Sequence, residues 1–186
     1  AHYNTVSGTV NVTVHQATPT VNTWPTASNI SYGKKLSDST LTGGDASVPG
    51  AFAFTAPTTA PNAGPYTADV TFTPTDTANY TTAAGTVSVT VEKAAPQITK
   101  EPAIGHLVYG QTLADASVTG GQASVPGSFA FDEPTTVPEP GTDYYLINFN
   151  PVDTANYYQM CYQTLVTTEK ITTNVSSWPT ALELTY

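Results

Sequence analysis

Two stretches of the sequence hold side chains at a spacing that could do chemistry. They are Asp76-Thr77-Ala78-Asn79-Tyr80 and Asp153-Thr154-Ala155-Asn156-Tyr157. A carboxylate and an amide three residues apart offer the oxygens a hard cation takes. The same pair closes a loop, through side-chain to backbone hydrogen bonds, with the tyrosine pinning the loop to a core. A calcium ion asks for roughly six to eight oxygens. The motif brings two side chains, so a turn is the expected role, and the sequence implies no metal and no other cofactor.

The remaining reactive types are scattered. His2, His15 and His106 have no metal-ligand spacing. Cys161 is the one cysteine, so no disulfide can form within the chain. Cys161 and Gln163 have the makings of a thioester, but no second copy of the pair exists. Lys93 and Lys170 sit where elements join, not among the buried asparagine and acid that an isopeptide cross-link requires. The Asn-x-Ser/Thr sites at Asn11, Asn29, Asn79 and Asn174 say little in so threonine-rich a chain. No catalytic constellation results, and the chain reads as no enzyme.

Composition narrows the partners. Hydrophobic residues make up 39% of the 186, enough to build cores. Only 10% are charged, and the formal net charge is −9. The basic residues are Lys34, Lys35, Lys93, Lys100 and Lys170, and there is no arginine. Nucleic acid and direct contact with an anionic membrane are both excluded, because each needs clustered basic residues.

The sequence repeats itself. SYGKKLSDSTLTGGDASVPGAFAF aligns with VYGQTLADASVTGGQASVPGSFAF, Gly33 on Gly110 and Phe54 on Phe131, 77 residues apart without insertion. TPTDTANY and NPVDTANY align at the same offset, Tyr80 on Tyr157. AHYNTVSGTVNVTVHQATP resembles ANYTTAAGTVSVTVEKAAP, and SSWPTALELTY resembles NTWPTASNISY. The expected organisation is a tail strand of a preceding repeat at 1–17, complete repeats at 18–94 and 95–171, and the leading strand of a following repeat at 172–186.

Within a repeat the period is two. Tyr66, Ala68, Val70 and Phe72 alternate with Thr67, Asp69, Thr71 and Thr73, and Val87, Val89 and Val91 alternate with Thr86, Ser88 and Thr90. This is the pattern of half-buried strands. Gly33, Thr42-Gly43-Gly44, Val48-Pro49-Gly50 and Pro61-Asn62-Ala63-Gly64 supply turn chemistry between them. No stretch has a helical period. Short strands punctuated every eight to twelve residues or so predict an all-β fold of tandem immunoglobulin-like β-sandwich domains. Glu92-Lys93-Ala94-Ala95-Pro96 is a short linker, so the domains are expected end to end, as a rod.

The two repeats differ in one patch. Thr67, Asp69 and Ser88 become Tyr144, Leu146 and Leu165, and Thr81, Ala83 and Gly85 become Tyr158, Met160 and Tyr162. If the first repeat's parity holds, Tyr144, Leu146 and Leu165, with Tyr158, Met160 and Tyr162 beside them, form an exposed apolar contact patch on the outer face of two neighbouring strands. A local bulge would instead turn some of these side chains inward.

The pattern YG…L…TGG-ASVPG-FAF…FTPTDTANY…GTVSVTV resembles the tandem bacterial immunoglobulin-like repeats of large surface proteins and adhesins of Gram-positive bacteria, over the whole chain. The resemblance implies non-catalytic stalk or spacer repeats of an extracellular, cell-surface or wall-attached protein that support adhesion. Their partners would be neighbouring repeats of the same chain, and a host glycan or protein. Two other readings are a ligand-binding adhesin module and accessory repeats of a large secreted hydrolase.

Overall fold

The computed structural model describes residues 2–181 and 183. The chain divides into two compact units, Ala1–Ala94 and Ala95–Tyr186.

Alternating side chains decide the first unit. Its long strands are β7 (Gly64–Pro74) and β8 (Ala83–Glu92), preceded by β1 (Val21–Thr23), β2 (Thr26–Ala27), β3 (Ile30–Ser31), β4 (Leu41–Thr42), β5 (Asp45–Ala46) and β6 (Gly50–Phe54). A sheet of four runs β3-β8-β7-β6, with β3 parallel to β8 and the other pairs antiparallel. Two antiparallel ribbons, β1 with β5 and β2 with β4, complete the unit. Every second residue of β7 and β8 points inward: Ala68, Val70, Phe72, Val87, Val89 and Val91 are all buried. Ile30 and Leu36 join that core, and Trp24, Ala27 and Leu41 pack on it from the ribbon side. Leu36 opens a short 3₁₀ turn, Leu36–Asp38, after the tight turn at Gly33, whose φ of +88° favours glycine.

The second unit repeats this frame. β9 (Ile98–Lys100), β10 (Ala103–Ile104), β11 (Leu107–Val108), β12 (Val118–Thr119), β13 (Gln122–Ala123), β14 (Gly127–Phe131), β15 (Gly141–Pro151) and β16 (Met160–Glu169) each fall 77 residues after their counterparts. The four-stranded order is β11-β16-β15-β14, with β11 parallel to β16. Leu107, Leu113, Ala116, Phe131, Ile147 and Val166 form the core.

The segments at either end are bare. Residues 2–16 make no strand, and Val6, Val10, Val12 and Val14 are exposed despite their alternation. Val87, Val89 and Val91 are buried because β8 is paired with β7 and β3 and turns that face onto the core. Among the described residues nothing plays those parts for 2–16. The expected leading strand, 172–186, is likewise exposed and unpaired over 172–181, and its last residues lie largely outside the described ones.

Candidate functional site

The Asp-x-x-Asn motif is a closed turn in both units. Asp76 Oδ1 accepts the Ala78 and Asn79 amides, each at 3.2 Å, and Asn79 Nδ2 donates to Asp76 Oδ2 at 2.7 Å. In the second unit the Asn156 amide and Nδ2 reach Asp153 at 3.1 and 2.8 Å. The Asn79 side chain, with the two amides, holds the exposed Asp76 carboxyl below its ordinary value. Gln16 Nε2 donates to the Thr77 and Ala78 carbonyls at 2.7 and 3.3 Å, and Ala17 bridges Tyr80. The oxygens a cation would want are thus engaged by the loop itself and by the segment entering the unit. Among the described residues no three His, Cys, Asp or Glu side chains gather as metal ligands.

The scattered reactive residues stay scattered. His2 and His15 are exposed. His106 Nδ1 lies 3.3 Å from Glu169 Oε1, where the first unit has Asn29 Nδ2 donating to Glu92 Oε1 at 3.2 Å. Its part is a strap between the neighbouring ends of β11 and β16. Cys161 is exposed and faces Asn148, while Gln163 faces Leu146. Lys93 and Lys170 are exposed, which removes the buried setting of an isopeptide bond.

The six residues of the expected contact patch divide between two faces. Tyr144, Leu146 and Leu165 are 60%, 45% and 51% exposed, and Tyr144 pairs directly with Leu165 across β15 and β16. Tyr158, in the loop before β16, is exposed too. Met160 and Tyr162 are half-buried and belong to the other parity of β16. Tyr162 packs on the core, so these two do not join Tyr144.

Tyr162 has a counterpart that explains it. In the first unit the position is Gly85, and a Cβ there would overlap the Trp24 indole. Trp24 stacks edge-on to Phe52 (5.7 Å between centroids), and Phe52 leans on Phe72 (4.9 Å). In the second unit Glu101 stands at the Trp24 position, and the aromatic ring comes from the facing strand as Tyr162, which packs on the same buried cluster as Phe129. Burial, and then the Glu101 carboxylate, push the Tyr162 phenol above its ordinary value. Its hydroxyl has no hydrogen-bond partner among the described residues.

Sequence reading missed the acids beside Tyr144. A hollow of about 210 Å³ is lined by Leu113, Asp132, Glu133, Tyr144, Tyr145 and Leu146. The signal was available: Thr55 and Ala56 of the first unit become Asp132 and Glu133. A larger hollow, about 410 Å³, lies against Val48, Pro49, Thr75, Asp76 and Tyr80. Both oxygens of its one carboxylate are already engaged within the loop.

No family model matches the chain, and no curated protein matches it. Among solved structures it is similar to Drosophila N-cadherin EC1-3, with a TM-score of 0.27 and 9% identity over 84% of this chain and 69% of that one. It is also similar to a three-immunoglobulin-domain structure of titin, with a TM-score of 0.33 and 10% identity over 84% of this chain and 67% of that one.

Proposed function

We propose that the chain is a pair of non-catalytic, immunoglobulin-like spacer repeats from the extracellular stalk of a bacterial surface protein. The observation that carries this reading is the recurrence of the same strands at a constant offset of 77 residues, with no reactive constellation repeated alongside them. A spacer asks only that each unit fold and that units follow one another closely. The alternating Thr/Val strands and the short Glu92–Pro96 linker meet that need. The acidic composition, nearly free of basic residues, suits a surface stalk that must not stick to its neighbours. The ribbons that pack on the core from the side opposite the sheet's outer face support a two-layer immunoglobulin-like arrangement.

The test is small-angle X-ray scattering of the whole chain. A spacer gives an elongated particle whose maximum dimension is close to the sum of two units. A compact particle, with the two units side by side, overturns the reading.

A further inference from the structure

The hollow beside Tyr144 lies where β14 stops. Phe131 pairs with Ile147, the Asp132 amide still donates to the Leu146 carbonyl at 3.0 Å, and β15 runs on past the last β14 pair. Leu113, fully buried, lies at the base, with Tyr144, Tyr145 and Leu146 as apolar walls. Asp132 and Glu133 stand exposed at the rim. Asp132 Oδ1 takes Asn148 Nδ2 at 2.7 Å, and Glu133 Oε2 takes the Thr136 hydroxyl at a long 3.4 Å. Each carboxylate keeps acceptor capacity for an incoming donor.

The first unit keeps only the buried leucine, as Leu36. Its residues at the corresponding places are Thr55, Ala56, Thr67, Ala68 and Asp69, on strands of identical register. Two carboxylates, two tyrosines and a leucine therefore arrive together at one corner of an otherwise conserved frame of strands.

We infer that this corner receives an arginine or lysine side chain from a basic segment of a partner protein, with Tyr144, Leu146 and Leu165 covering apolar residues beside it. The carboxylates accept the charged head, the tyrosine faces attract a cation, and the leucines line the methylene stem. The chain offers no cation of its own here, since none of its five lysines lines the hollow. A net charge of −9 steers a basic partner in and repels a second copy.

The experiment is an NMR titration of the ¹⁵N-labelled 186-residue chain with acetyl-Ala-Arg-Ala-amide and its lysine analogue. The glutamine analogue and lactose serve as neutral probes. The expected result is saturating shifts at Asp132, Glu133, Tyr144 and Leu146 with the basic peptides only, weakening as salt is raised. Glu133→Gln and Tyr144→Thr should each weaken binding about two- to fivefold. The combination Thr55→Asp, Ala56→Glu, Thr67→Tyr and Asp69→Leu should bring the same shifts into the first unit, while signals of the untouched unit report on folding. Equal shifts with the glutamine peptide, or lactose shifts at the same residues, would overturn the inference. So would shifts spread over remote acids such as Asp45 and Glu92, or binding unchanged in Glu133→Gln.

Discussion

The two units share their strands and registers yet fill the same space with different side chains. In the first, Trp24 lies over Gly85 and reaches Phe52. In the second, Glu101 leaves that place and Tyr162 supplies the ring from the facing strand. The two units thus place an aromatic ring in this region of the core from different strands. On the outer face, Thr67 and Asp69 turned into Tyr144 and Leu146 without a shift in pairing, because side chains on the solvent side do not set the register.

The strongest test of this comparison is Gly85→Tyr. With Trp24 in place the new ring overlaps the indole, and the first unit should lose about 3 kcal/mol. Trp24→Glu alone should cost a similar amount, about 3 kcal/mol, by emptying the site. The double variant should lose less than the sum, with a coupling of about 2 kcal/mol. Denaturation followed through amide signals of the first unit reads all three. Additive losses would mean that Tyr162 does not stand in for Trp24.

A smaller effect is expected at Val91 and Thr168, which share a position 77 residues apart. Val91 is buried among apolar neighbours, while Thr168 is 3% exposed with a hydroxyl that has no partner among the described residues. Thr168→Val should stabilise the second unit by about 1 kcal/mol, because an unsatisfied buried hydroxyl is removed. Val91→Thr should destabilise the first unit by about 1–2 kcal/mol in the same assay.

The Asp76 loop should respond to acid. Its carboxyl is depressed in the folded chain, so the stability it contributes is fully present above the ordinary value of 3.8. It is lost as the pH falls from there through the depressed value. Asp76→Ala should lower the first unit's stability slightly near neutral pH and flatten its loss in acid. An unchanged acid limb would show that the Asn79 contact does not hold the loop.

Least of all should follow from returning the patch to the first unit's residues. Tyr144→Thr with Leu146→Asp should change stability by no more than about 0.5 kcal/mol, as for exposed positions generally. A larger loss would mean that these side chains serve the fold rather than a partner.

Much of this was legible in the sequence. The 77-residue offset and the alternation of Tyr66–Thr73 and Gly85–Glu92 determined the all-β class and the inward faces of β7 and β8. They also determined the outward faces on which Tyr144, Leu146 and Leu165 lie. Period-two patterning is a local property, and burial of one face enforces it. The turn at Asp76 was legible for the same reason, since its hydrogen bonds join residues only two or three apart. Tertiary structure decided what depends on distant residues meeting. It set Tyr162 against the core in the role of Trp24 and brought Asp132 and Glu133 to the side of Tyr144. Those positions lie ten to sixty or so residues apart in sequence. Only sheet packing and the point where β14 ends bring them into contact, and no local period encodes either.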